Sequence, residues 1–211
     1  MKDIRTGLLS DPTGYFALRI DTYLLLVQRS IFTSWVKMKM SLRRIRYGKG
    51  IAFYGNAIIR RFPGSSVIIG NNCRFRSSFA SNAVGLNRKC FISTLEPGAV
   101  LQIGDNSGFS ATVIGCAESV TIGRNVICGG NTFITDYDWH AIDRSDPKAK
   151  ALSSPVVIED NVWLGLNAVV LKGVTIGKGS IIGANSVVTK SIPAGVIAAG
   201  NPCRVVKELS S

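Results

Sequence analysis

Histidine is almost missing from this chain: one residue, His140, in 211. A structural or catalytic zinc needs three or four protein ligands, drawn mostly from His and Cys. The five cysteines (Cys73, Cys90, Cys116, Cys128, Cys203) are odd in number and contain no Cys-x-x-Cys pair, so no metal site is expected. They read as small buried hydrophobes in a reducing cytosol. Acidic residues are also scarce, 13 against 25 Lys and Arg, for a formal charge of +12. That excess is local. Residues 1–62 hold twelve Lys/Arg against Asp3, Asp11 and Asp21, and the remaining 149 residues are close to balanced. No nucleic-acid-binding motif or aromatic stacking surface accompanies the charge, so no nucleic-acid partner is expected. A phosphorylated cofactor or an anionic membrane surface accounts for it instead. Rossmann and P-loop glycine fingerprints are absent as well. No signal peptide is visible, which points to a cytoplasmic location.

What is present divides into an arm and a body, 1–50 and 51–208. Phe16 to Arg46 lacks Pro and Gly and is dense in apolar residues such as Leu24, Leu25, Val27, Ile31, Phe32 and Trp35, a helix-compatible pattern. Arg19, Asp21, Arg29, Lys37 and Lys39 interrupt it, leaving no uninterrupted run of the ~20 apolar residues that a membrane span needs. Two readings stay open. The helix packs its apolar stripe on the body or a neighbouring subunit, or it lies on an anionic bilayer as a peripheral contact at the inner face of the membrane.

From Val156 onward the chain repeats every six residues. Aliphatic side chains stand at Ile158, Leu164, Val170, Ile176, Ile182 and Val188. Two residues before each stands a small or β-branched one: Val156, Val162, Ala168, Val174, Ser180, Ser186. A period of six fits neither the α-helix nor a longer repeat unit. In extended chain, residues two apart share a face, so each pair points inward. Gly165, Gly177 and Gly183, with Asn161, Asn167 and Asn185, are expected to make the corners. Three strand-and-corner units close a triangular coil, and stacked coils form a parallel β-helix. The pattern recurs upstream around Val67–Gly70, Phe75, Ile103, Phe109, Ile122, Cys128 and Ile134. Residues 137–155 are too polar and too rich in Asp and Pro for coil, and they contain the histidine. A loop extruded at one corner is expected there.

The run Val162-Trp163-Leu164-Gly165-Leu166-Asn167-Ala168, then Gly173-Val174-Thr175-Ile176-Gly177, then Ile182-Gly183-Ala184-Asn185-Ser186-Val187-Val188-Thr189-Lys190, closing on Gly200-Asn201-Pro202-Cys203-Arg204, resembles the hexapeptide-repeat acyltransferases. Within them it is most similar to the maltose/galactoside and surface-polysaccharide O-acetyltransferases. The resemblance covers about 120–208. It implies an all-β, left-handed parallel β-helix behind the helical arm, a homotrimer, and acetyl-CoA as co-substrate. It also implies transfer of acetyl to a hydroxyl of a saccharide, in surface polysaccharide biosynthesis.

By the same resemblance His140 falls at the family's catalytic position, as general base. An imidazole suits the removal of a hydroxyl proton near neutral pH. Asp138 or Asp143 would orient it, and Asp136, Tyr137 and Trp139 would meet the acceptor. Trp163 would wall the acyl-CoA channel, and a backbone N–H near Gly165 would serve the oxyanion. Ala184, Thr189, Lys190 and Arg204 would line the pantetheine arm and the phosphates. The sequence departs from the family in two respects, and both argue against maltose or galactoside: Phe109-Ser110-Ala111-Thr112 lacks the usual acceptor-contacting asparagine, and the long basic arm replaces the short polar helical segment that often precedes the coils in maltose acetyltransferases. An antibiotic O-acetyltransferase and a non-catalytic β-helix scaffold are the alternatives. A zinc carbonic anhydrase on this fold is excluded by the single histidine.

Overall fold

The computed structural model describes residues 10–143, 145–146 and 149–209. Residues 1–9 of the arm and 144, 147 and 148 of the loop lie outside the described residues. Helix α1 (Pro12–Leu42) opens on Asp11, whose carboxylate accepts the Gly14 N–H at 2.9 Å, with Pro12 following in the first turn. It ends four residues earlier than the Pro- and Gly-free run, in a Schellman turn built without glycine. Arg44 takes φ 54°, Ile45 N–H donates to Met40 C=O, and Arg44 N–H donates to Ser41 C=O. Met40 and Ile45 are both buried and supply the apolar contact of that motif.

The chain then winds as a triangular prism of three parallel sheets, each coil giving one strand to each sheet. The first sheet starts at Arg46–Tyr47, the second at Ala52–Tyr54, and the third at Ile58–Arg60. The first coil therefore precedes the earliest repeat legible in the sequence. In the regular part Val157 pairs with Thr175, Trp163 with Ile181 and Val169 with Val187, one coil of eighteen residues in each case. The twelve inward positions read from the six-residue period are all buried. Nearer the N-terminus the second-sheet column carries Phe53, Phe75 and Phe109. Their rings stack at 4.9 and 5.0 Å, with interplanar angles of 14° and 9°.

The corners work differently from the expectation. Asparagine, not the glycine after the aliphatic residue, takes the left-handed turn: Asn161, Asn167 and Asn185 have φ between 56° and 61°. Stacked corner asparagines bond to one another, Asn125 to Asn161 and Asn167 to Asn185, both at 3.0 Å. Gly165 and Gly177 have ordinary φ and are needed for space. A Cβ on Gly165 would come within 2.6 Å of Ala184 N, and one on Gly177 within 2.3 Å of Ala194 N.

Helix α1 seals the first coil, as a prism of this kind needs at an open end. Val36 and Met40 are buried against the core, Thr33 Oγ1 accepts the Phe53 N–H, and Lys39 Nζ donates to Asn56 Oδ1. The rest of the helix keeps a bare stripe. Phe16, Ile20, Val27, Ile31, Met38 and Leu42 recur at helical spacing and are exposed. At the other end Arg204–Glu208 folds back antiparallel on Val196–Ala199.

Two segments leave the prism. One runs from Thr135 to Val156 at the corner between the third and first sheets. The other, 77–90, was not foreseen, and leaves at the corner between the second and third sheets. It is pinned there by Arg88, whose Nε donates to Ala111 C=O, and by Asn82, whose amide donates to Ser110 Oγ at 3.1 Å. All five cysteines are buried and unpaired. Burial pushes the Cys73 thiol up to about 11 and those of Cys116 and Cys128 up to about 12, which keeps them protonated.

Candidate active site at the edge between the third and first sheets

The excursion that carries the histidine is anchored at Asp136. Its carboxylate is fully buried and accepts three backbone N–H groups, from Ala117 (2.7 Å), Glu118 (2.8 Å) and Ser119 (2.7 Å). Its carbonyl accepts the N–H of Ser154 on the returning limb, and Asp138 N–H donates to Leu152 C=O. Asp136 therefore ties both limbs of the excursion to the preceding corner and has no face toward solvent. This corrects its expected role as an acceptor contact. The signal that could have found it is the two-residue step from the core aliphatic Ile134, which keeps Asp136 on the inward face.

Beyond this stem a cleft of about 600 Å³ opens. Tyr137, Trp139 and His140 line it from the outgoing limb, Lys150 and Ser153 from the returning limb, and Glu96 and Ala117 from earlier corners. Ser153 Oγ donates to Glu118 Oε2 at 2.8 Å, closing one side. Trp139 takes φ 66°, a costly value for an aromatic residue. Its indole meets Tyr137 edge-on and lies over Gly115, where a Cβ would come within 2.8 Å of Trp139 Cζ2. That glycine interrupts a strand to admit a ring, a use that strand glycines often have.

His140 is exposed at the cleft, and its backbone N–H donates to Asp138 C=O at 2.8 Å. Neither expected orienting carboxylate reaches its imidazole. Asp138 is ion-paired to Lys172 at 2.5 Å, and Asp143 accepts the backbone N–H and hydroxyl of Ser145, which hold its carboxyl below the usual range. Lys172, missed in the sequence, is the partner that fixes Asp138.

The expected cofactor residues separate into two groups. Thr189 and Lys190 turn the corner between the third and first sheets, on the same edge as His140 and two coils beyond it. Gly165 and Ala184 turn the opposite corner of the third sheet, between the second and third. Trp163 faces outward on the second sheet between Ile127 and Ile181, half-exposed, and Arg204 is exposed in the last strand beside Ala199. The Gly165 N–H is already donated to Ile182 C=O at 2.7 Å, so it is not a free oxyanion donor. The next amide, Leu166 N–H, has no partner among the described residues. A single prism thus keeps His140 and the Gly165–Ala184 edge on different sides of the third sheet.

Residues 155–190 match the family described as the hexapeptide repeat of succinyl-transferase. WbbJ of Escherichia coli (strain K12), named for O-acetyl transfer in lipopolysaccharide biosynthesis, is 37% identical over 166 residues. The match covers 74% of this chain and 81% of that protein. The crystal structure of a maltose O-acetyltransferase from Clostridium difficile 630 superposes with a TM-score of 0.52 at 25% identity, covering 89% of each chain. A hexapeptide-repeat acetyltransferase of Vibrio cholerae O1 biovar eltor, complexed with acetyl coenzyme A, has the same fold, with a TM-score of 0.54 at 24% identity. It covers 95% of this chain and 92% of that one. With its inward pairs at a six-residue period and its extruded histidine loop, this chain belongs to the hexapeptide-repeat acyltransferases, enzymes built on a left-handed parallel β-helix.

Proposed function

We propose that the chain transfers the acetyl group of acetyl-CoA to a hydroxyl of a saccharide in surface polysaccharide biosynthesis, with His140 as the general base. One observation carries this reading. The only histidine stands on an excursion anchored by a buried carboxylate and opens on a cleft large enough for a sugar. The relatives named for O-acetyl transfer to maltose or in lipopolysaccharide biosynthesis support the acceptor class.

Acetyl-CoA supplies an activated carbonyl and a thiol leaving group. The residues present suit it: exposed Lys190 and Arg204 for phosphates, and the small exposed Ala184 beside part-buried Gly165 for a flat pantetheine arm. His140 takes the acceptor hydroxyl proton, and Tyr137 and Trp139 hold the sugar ring beside it. Asp138, held by Lys172, fixes the strand of backbone from which His140 projects rather than the imidazole itself.

The two separated edges meet when a second copy presents its Gly165–Ala184 corner to this copy's His140 corner. Such a contact joins unlike patches and closes as a ring, which supports a homotrimer. The exposed Ile127 and Trp163 add apolar area to that contact. No helix among the described residues is long and apolar enough to cross a membrane. The bare stripe of α1 with Arg19, Arg29 and Lys37 supports peripheral binding at the inner face of an anionic membrane.

Two tests follow. Release of CoA thiol is measured over a panel of glycosides and aminoglycoside drugs, with mass spectrometry of the products. A drug accepted in preference to every saccharide would favour the antibiotic reading. Mixing inactive His140→Ala chains with inactive chains that carry Ala184→Trp, at an exposed position of the same corner, should restore turnover in mixed oligomers. No restoration would refute the shared site.

A further inference from the structure

Beside the catalytic cleft, on the outer face of the third sheet, lies a second hollow of about 650 Å³. Phe91, Val113 and Phe133 form its floor, stacked in register on neighbouring coils. A strand face turned to water is ordinarily polar, and this one is apolar over several coils. Trp139 forms one end wall, and the same side chain walls the His140 cleft. Arg60 and Arg61 stand at the other end. The Arg60 guanidinium lies 5.2 Å over the Phe91 ring, exposed and without a carboxylate partner among the described residues.

That far end is tied to helix α1. Arg61 Nε donates to Arg43 C=O at 2.7 Å, and Arg43 Nη1 donates to Ile59 C=O at 2.8 Å. The exposed apolar stripe of α1 therefore ends, at Leu42, where the groove begins. The order along the molecule is helix with an exposed apolar stripe, arginines, apolar groove, indole, histidine.

We propose that this groove holds the carrier of the acceptor: a hydrocarbon chain with a phosphate group, to which the saccharide is covalently linked. The hydrocarbon lies on Phe91, Val113 and Phe133, Arg60 binds the phosphate, and the sugar passes Trp139 into the cleft. The apolar floor with an unpaired guanidinium at one end selects an amphiphilic anion over a neutral glycolipid or a free sugar phosphate. This deepens the reading of the chain as a saccharide acetyltransferase and rests on it.

The test uses the full chain and one saccharide in four forms: methyl glycoside, decyl glycoside, glycosyl phosphate and glycosyl decyl phosphate. The decyl phosphate form should show a KM at least tenfold below the methyl glycoside, and the two half-forms should fall between. Arg60→Gln should remove the phosphate advantage and Val113→Asp the alkyl advantage, with methyl glycoside turnover unchanged in both. Equal KM values for all four forms would overturn the proposal. So would a change in solution mass for Val113→Asp, which would mark the groove as a contact between copies. Quenching of tryptophan fluorescence by decyl phosphate alone reads the groove without turnover. If no acceptor is acetylated yet quenching occurs and is lost in Arg60→Gln, the function reading fails and the groove stands. If acetylation proceeds without quenching, the groove fails alone.

Discussion

Replacing Asp136 by Ala removes the acceptor of three backbone N–H groups at 2.7–2.8 Å in a site with no solvent contact at the carboxylate. A buried donor left without a partner costs about 1–3 kcal/mol. Ala117 is buried, whereas Glu118 is exposed and Ser119 half-buried, so water can reach two of the three amides once the carboxylate is gone. The expected loss is therefore about 3–5 kcal/mol, toward the upper end for a single substitution. At a fixed protein concentration that corresponds to roughly 10 °C in melting temperature for a chain of this size. Because Asp136 C=O also holds Ser154 N–H, the stem of the excursion loosens and kcat should fall at temperatures where the fold persists. Asp136→Asn keeps the shape but turns one N–H donor toward another, and should lie between Ala and the native chain. Thermal melts by circular dichroism, with acetyl-transfer kinetics beside them, read both effects. A melting temperature within 2 °C of native, together with a raised acceptor KM and an unchanged kcat, would refute the reasoning and return Asp136 to the acceptor site.

Phe75→Ala removes the central ring of the Phe53–Phe75–Phe109 stack and should cost about 3–5 kcal/mol in urea unfolding, with little change in kcat. A loss below about 1 kcal/mol would mean that the column collapses onto the gap. Acid should destabilise the prism at its corners. The backbone N–H groups of Asn71 and Arg124 hold the carboxyls of Asp105 and Asp160 below their ordinary 3.8. A carboxyl depressed in the folded state adds stability above its unfolded value and loses it as pH falls through the folded one. Unfolding midpoints should therefore be unaffected by these groups above about pH 5 and drop below about pH 4. Asp160→Asn should flatten that drop, and an unchanged acid profile would discount the corner bonds.

The regular coils were legible because each inward pair repeats without interruption from Val156 to Val188. Asn161, Asn167 and Asn185 were legible as corner residues, but the reason for their glycine neighbours was not. Close approach between coils is a property of stacking, and no single hexapeptide contains it. Val120 and Val156 pair across thirty-six residues, two full coils, so the excursion between them preserves the six-residue count and only its polarity betrays it. The 77–90 excursion lacks the Asp and Pro that mark the other one, and Phe79, Ala80, Val84 and Leu86 are spread among its polar residues. The end of α1 was hidden because its left-handed residue is Arg44 and not glycine. The site was legible in its single histidine and its loop. It was illegible in Asp136, Lys172 and Gly115, whose partners come from other coils.

The most direct measurement is acetyl transfer by the His140→Ala chain, with CoA affinity by calorimetry and solution mass measured on the same sample. Loss of the base should lower kcat by about 10²- to 10⁴-fold, with CoA affinity, oligomer mass and melting temperature unchanged. Undiminished turnover in a folded His140→Ala chain of unaltered mass would contradict the assignment of the chemistry to the excursion.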